Sequence, residues 1–198
     1  MKQKVLLASN NAHKIKEIRA ILGDFFDIVS LREAGVESDP EETGKTFEEN
    51  ARIKAVAGMK ASGMPCIADD SGLEVLSLDC RPGVMSARYS GSHGDDAANN
   101  EKLLAELADK PDRSARYVCV ICMAFPDGRE LEARGECYGE ILKEKRGNGG
   151  FGYDPLLYFP QFGKTFAEIS AEEKNEVSHR NAALKAFEKL WEKEINDK

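Results

Sequence analysis

Apolar positions recur along this 198-residue chain with two periods, about two and about 3.6 residues, and their alternation predicts strands and helices in mixed order. Residues 4–9 form a short apolar run that reads as a strand, and behind it Ile15, Ile18, Ile21 and Leu22 fall at helical spacing. Thr46-Phe47-Glu48-Glu49 has the form of a capping box and predicts a second helix toward Ala61. Residues 65–68 and 73–78 are expected as strands flanking Asp69-Asp70-Ser71-Gly72, which reads as an acidic turn. A third helix is expected over residues 95–107, with Leu103, Leu104 and Leu107 inward. Residues 115–125 and 130–141 alternate as strands about Pro126-Asp127-Gly128, a hairpin signal. Residues 156–159 give another strand, and a last helix over residues 178–194 would bury Ala183, Leu184, Phe187, Leu190 and Trp191. This order suits an α/β or α+β fold around a central sheet, with antiparallel pairing in the second half. Active residues would gather in a cleft where strand ends meet helix starts.

Composition narrows the function classes. Hydrophobic residues make up 41% and charged residues 32%, as in an ordinary globule. A net charge of -7 argues against a nucleic-acid polymer or a membrane surface as partner, because both need a basic face. An anionic substrate would have to meet a local cluster of cations. No apolar run approaches the roughly 20 residues of a membrane span, and the apolar start is too short for a signal peptide, so a cytoplasmic protein is expected. The five cysteines are odd in number and sit mostly in apolar segments, which fits reduced core thiols. Cys119-Val120-Ile121-Cys122 has redox or zinc spacing but lies within a strand, with no second Cys or His pair at ligand spacing.

The most informative stretch is the acidic pair. Two adjacent carboxylates at the end of an apolar segment call for a divalent cation, a shared proton or a nearby base, unless the turn is simply solvated. Ser9-Asn10-Asn11-Ala12-His13-Lys14, at the first strand-to-helix junction, offers free N–H groups, side-chain donors and a cation to a phosphate, or else an ordinary helix cap with a surface lysine. No Walker loop occurs anywhere. Asn50 and Lys54 are four apart and share a helix face, and Glu41 and Glu42 precede the cap, where a carboxylate could complete a metal site or stay solvated. Gly147 to Gly152 contains a formal G-x-G-x-x-G, but no buried strand precedes it and no helix is expected after Pro155, so it is not a dinucleotide fingerprint. It reads as a loop presenting Phe151 for stacking and Asp154 as an acceptor for base N–H groups, or as a plain glycine-rich loop whose aromatics cap the core. Lys174, Ser178, His179 and Arg180 gather three cations around a helix start that Ser178 would cap.

Together these segments resemble the inosine triphosphatase, or Ham1-like, family. The matching pieces are Ser9-Asn10-Asn11-Ala12-His13-Lys14, Phe47-Glu48-Glu49-Asn50-Ala51 with Lys54, Ala68-Asp69-Asp70-Ser71-Gly72-Leu73, residues 82–89, Phe151-Gly152-Tyr153-Asp154-Pro155 and Ser178-His179-Arg180. They occur in the family's order across essentially the whole chain. The resemblance implies an α/β protein of two lobes around an elongated mixed β-sheet flanked by helices, residues 1–198 forming one nucleoside triphosphate pyrophosphatase domain that works as a homodimer. It implies Mg²⁺-dependent hydrolysis of ITP, dITP and XTP to the monophosphate and pyrophosphate, with Mn²⁺ as a substitute metal. By resemblance Asp70 is proton acceptor and metal ligand, Glu42 the second carboxylate ligand, and Asp69 their support. Substrate contacts would come from Ser9, Asn10, Asn11, Ala12, His13, Lys14, Lys54, Ser71, Phe151, Gly152, Tyr153, Asp154, Lys174, His179 and Arg180. Donors at Arg180 or in the Phe151 loop would read the purine 6-oxygen, which adenine replaces with an amino group. Two other classes stay open on sequence grounds: a Maf-like pyrophosphatase acting on dTTP or UTP, and a non-catalytic nucleotide sensor.

Overall fold

The computed structural model describes residues 2–196, with the backbone alone for His13 and Ala171; the expectation placed on the His13 side chain lies outside the described residues. The strands are β1 (Gln3–Leu7), β2 (Phe26–Ser30), β3 (Cys66–Val75), β4 (Arg81–Pro82), β5 (Ser114–Ala124), β6 (Glu130–Ile141), β7 (Leu157–Phe159) and β8 (Lys164–Thr165). The helices are α1 (Ala12–Leu22), α2 (Leu31–Ala34), α3 (Phe47–Ser62), α4 (Asp96–Glu106), α5 (Ala171–Val177) and α6 (His179–Asn196). One mixed sheet runs in the order β2-β1-β3-β5-β6-β7-β8, with β4 paired to β3. β1 pairs in parallel with β2 and β3, whereas β3–β4, β6–β7 and β7–β8 are antiparallel.

The chain divides into two compact units, each drawn from several stretches of sequence: residues 1–70, 119–135 and 180–198, and residues 71–118 and 136–179. In the first unit, α1 and α6 supply Ile18, Leu22, Ala183, Leu184 and Phe187 to a core with Val5, Leu7, Ile67, Cys119, Ile121 and Met123. Leu6 and Cys66 belong instead to a second cluster with Leu31, against which Met59 of α3 packs. Successive strand side chains point to opposite faces, so β1 and β3 serve one cluster with odd-numbered residues and the other with even-numbered ones. In the second unit, Leu73, Val75, Leu103, Leu107, Tyr117, Leu157, Phe159 and Phe166 form the core.

The predicted helices and long strands are present within a few residues, and Thr46 and Glu49 form the expected capping box on α3. The acidic turn is not. Asp69-Asp70-Ser71-Gly72 lies inside the ten-residue strand β3, most of which is buried. Aspartate and glycine disfavour strands in isolation, but cations supplied by other elements and pairing on both sides override that local preference. The last helical segment is broken: α5 ends before Ser178, whose extended backbone (φ -76°, ψ 157°) separates it from α6, so Ser178 stands at the end of one helix as well as before the next. Leu190 is 39% exposed and outside the buried stripe, whereas Trp191 packs against Phe26 with ring centroids 4.7 Å apart. Sequence periodicity missed β2, α2, β4, β8 and α5, all of ten residues or fewer. α2 nevertheless carries its own capping box, Ser30 with Glu33.

Candidate active site

In a strand, neighbours face opposite ways, and this is how β3 holds Asp69 beside Asp70. On one face, Asp69 Oδ2 meets Lys14 Nζ of α1 at 2.8 Å and the Arg180 guanidinium of α6 at 3.4 Å. Arg180 also pairs with Glu17 at 2.7 Å. Asp69 and Arg180 are both almost fully buried. Burial alone would raise the Asp69 pKa, but the charges of Lys14, Arg180 and Lys54 overcome it and hold the carboxyl far below the usual range. Burial likewise opposes the charge on Arg180, and Asp69 and Glu17 keep it firmly protonated.

On the other face, Lys54 Nζ of α3 donates to Glu42 Oε1 at 2.8 Å and to Asp70 Oδ1 at 3.1 Å. Here burial wins: desolvation pushes the Asp70 pKa up, Lys54 only partly offsets it, and Glu42 adds repulsion. Asp70 Oδ2 is buried with no hydrogen-bond partner. The same dipeptide therefore contains a carboxylate locked in its charged form and a neighbour with raised proton affinity and an oxygen that no hydrogen bond satisfies. Lys54 loses by burial but gains more from Asp70, Asp69 and Glu42, and stays protonated.

The segment bearing Glu42 is held by α3. Gly44 N–H donates to Asn50 Oδ1 at 2.9 Å, and Asn50 is fully buried one turn before Lys54. A Cβ on Gly44 would meet that oxygen at 2.5 Å, so the close approach requires glycine. At the start of α1, Ser9 Oγ accepts from Asn11 N–H at 3.2 Å, and Asn11 Oδ1 accepts from Lys14 N–H at 3.2 Å. Asn11 thus caps α1 and Ser9 closes the turn before it, while Asn10 and Asn11 remain exposed.

The second unit gathers another set. Asp154 is 2% exposed: its Oδ1 accepts from Tyr117 Oη at 3.1 Å, and its Oδ2 accepts from Lys174 Nζ at 2.5 Å and from Phe151 N–H at 3.0 Å. Gly150, at φ +74°, packs where a Cβ would run into that carboxylate. Lys174 Nζ lies 4.3 Å from the centroid of the Phe151 ring, which is 45% exposed. Tyr117 stacks on His179 at 4.8 Å between centroids.

Several of the expected site residues have partners within the protein. Asp154 is an internal acceptor whose oxygens serve Tyr117, Lys174 and Phe151. Lys174 is buried, its charge paired with Asp154 and lying over the Phe151 ring. Tyr153 is a core residue whose hydroxyl donates to Ser86 O at 2.9 Å. Arg180 pairs with Glu17 and Asp69, and the N–H groups of Phe151 and Gly152 donate to Asp154 and Asp96. Asp69 balances Lys14 and Arg180. Ser71 is half-buried on β3. Glu17 and Tyr117 were not singled out from the sequence; Glu17, one turn after Lys14 on the same face of α1, was within reach of a helical-spacing argument.

The chain is also similar to known proteins. The profile of the Ham1 family matches residues 5–190. A dITP/XTP pyrophosphatase of Desulfotalea psychrophila is 56% identical over 91% of this chain and 81% of its own length. One from Clostridium perfringens is 51% identical over 92% of this chain and 94% of its own. The structure of the Staphylococcus aureus Ham1 protein superposes with a TM-score of 0.90 at 44% identity, covering 97% of this chain and all of the other.

Proposed function

Because the chain belongs to the Ham1 family, we propose that it hydrolyses the triphosphates of deaminated purines, ITP, dITP and XTP, to the monophosphate and pyrophosphate. The observation that carries the chemistry is Asp70: a buried carboxylate of raised pKa, with one oxygen held by Lys54 and the other buried with no hydrogen-bond partner. Such a group is suited to accept the proton of a water attacking phosphorus as the bond between the α- and β-phosphates breaks. Lys54, already between two carboxylates, and Lys14, partly exposed beside Asp69, supply positive charge for a substrate carrying about four negative charges. Arg180 acts through Asp69, fixing the carboxylate that orients Lys14. Phe151 offers a stacking surface, which any base satisfies and which contributes affinity without selectivity.

The residues also fit a divalent metal. Among the described residues no group of three His, Cys, Asp or Glu could hold one unaided. Asp70 Oδ2 and the neighbouring Glu42 nonetheless form a hard, all-oxygen pair, and Mg²⁺ binds through one or two carboxylates with water and phosphate oxygens completing its shell. Mg²⁺ held there would neutralise charge on the phosphate oxygens. Asp70 cannot be fully a ligand and fully a base at once, so Glu42 is assigned the larger share of metal binding. We extend the reading to a cytoplasmic homodimer, supported by the family resemblance, the acidic composition and the free cysteines.

Pyrophosphate release across ITP, dITP, XTP, ATP, GTP and dTTP with Mg²⁺ tests the assignment. The three deaminated purine nucleotides should exceed the others by about a hundredfold, the effect of two mismatched polar contacts. Comparable rates on ATP or dTTP would overturn the substrate class. ITP binding without pyrophosphate release would leave a sensor in its place.

A further inference from the structure

Helix α4 has no part in the chemistry above, yet it grips the loop beside Phe151 from two sides. Asp96 Oδ2 accepts the N–H of Gly152 at 2.7 Å. Asn100, one turn further along α4, donates from Nδ2 to the carbonyl of the same Gly152 at 2.8 Å and to the Asp96 carbonyl at 2.8 Å. Asn100 is 3% exposed and its Oδ1 is buried without a partner. Its amide is therefore oriented by the two carbonyls it serves, and turning it over would set oxygen against oxygen.

Fixing both the N–H and the C=O of Gly152 sets the peptide planes on either side of it, including the one that continues into Phe151. The neighbouring sequence has glycine at 147, 149, 150 and 152, a composition that would otherwise leave this loop many conformations. Phe151 N–H is tied to Asp154, and the ammonium of Lys174 lies over its ring. A ring anchored this way needs little ordering when a base arrives, and such ordering is a cost otherwise met from binding energy.

We propose that Asp96 and Asn100 are positioning residues that preorganise Phe151 as a stacking platform and so set the apparent affinity for the nucleoside end of the substrate. This rests on the reading of Phe151 as the stacking surface. A positioning role of this kind predicts a change in KM more than in kcat, and it predicts that the effect passes through Phe151.

A double-mutant cycle on the full-length enzyme with ITP and Mg²⁺ tests both points. Asp96→Ala and Asn100→Ala should each raise KM roughly three- to tenfold, the loss of one or two ordinary hydrogen bonds, with kcat within about twofold. In a Phe151→Ala background the same substitutions should change KM by less than about twofold. Asp96→Asn keeps an acceptor for Gly152 N–H and should restore KM. If Asp96→Ala does not fold, Asn100→Ala carries the cycle. Equal KM increases with and without Phe151, or a loss confined to kcat, would overturn the proposal. If Phe151→Ala itself leaves KM unchanged, the stacking reading falls first and takes the clamp with it, a result separable from failure of the clamp alone.

Discussion

Asp69 and Asp70 are neighbours in sequence and nearly equally hidden, yet replacing each by asparagine should have opposite consequences. Asp69→Asn removes the charge that balances Lys14 and Arg180. Arg180 would then be buried with Glu17 as its remaining charge partner in this group, and breaking a buried pair costs about 3 to 5 kcal/mol. Taking about 3 kcal/mol, and about 2 to 4 °C per kcal/mol for a chain of this size, the melting temperature should fall by about 6 to 12 °C. Asp70→Asn removes a carboxylate whose ionisation burial already disfavours, and leaves Lys54 bonded to Glu42. Its stability at neutral pH should be unchanged or higher, while turnover drops by about two orders of magnitude or more with the proton acceptor gone. The pH dependence follows the same division. The depressed pKa of Asp69 gives stability present above its ordinary value of 3.8 and lost as the pH falls below it, so the Asn variant should lose part of the acid sensitivity of the wild type. The raised pKa of Asp70 works in reverse, contributing below 3.8 and losing that contribution as the pH rises through the folded value. Thermal melts from pH 3 to 8 with pyrophosphate-release assays on the same samples check this. An Asp69→Asn protein melting with the wild type, or an Asp70→Asn protein that is folded and active, would refute the reasoning.

Lys14→Ala should lower kcat/KM for ITP at least about tenfold, the cost of one charge-assisted contact, and initial rates at low substrate measure it. Gly44→Ala would push a methyl into Asn50 and displace the segment carrying Glu42; we expect a higher Mg²⁺ requirement, read by titrating the metal in the activity assay. Of the five thiols, Cys80 is exposed, whereas burial pushes Cys66, Cys119, Cys122 and Cys137 up to about 12. Iodoacetamide at pH 7.5 should label Cys80 alone in the native protein and all five residues in denaturant, as peptide mass mapping would show.

What the sequence disclosed follows from how local each determinant is. Periodic stripes such as Ile15, Ile18 and Leu22, and the Thr46–Glu49 box, are decided within one or two helical turns and are legible without tertiary information. The strand through Asp69-Asp70 was not, because what makes two carboxylates tolerable there comes from Lys14, Lys54 and Arg180 on three different helices. Residue identities at the candidate site were legible through the family motifs, but their commitments were not. Asp154, Lys174 and Arg180 all looked available for substrate, and each is occupied by a partner 20 or more residues away. Partnerships over such distances leave no spacing signal. The short elements β4, β8 and α5 escaped because a few residues cannot display a period.

The first unit is assembled from three separated stretches of chain, and its core joins Val5 and Leu7 to Ala183, Leu184 and Phe187. A ribosome must therefore have added residues as far as Phe187 before that core can close. Until then β1 and α1 wait with their apolar faces uncovered, and the Lys14–Asp69–Arg180 cluster lacks its last member. Contacts across such long separations slow folding, since loop closure must be met before packing compensates for it. The nascent chain should depend on chaperone protection late in synthesis, and a chain stopped before residue 180 would lack not only a helix but the charge balance of Asp69.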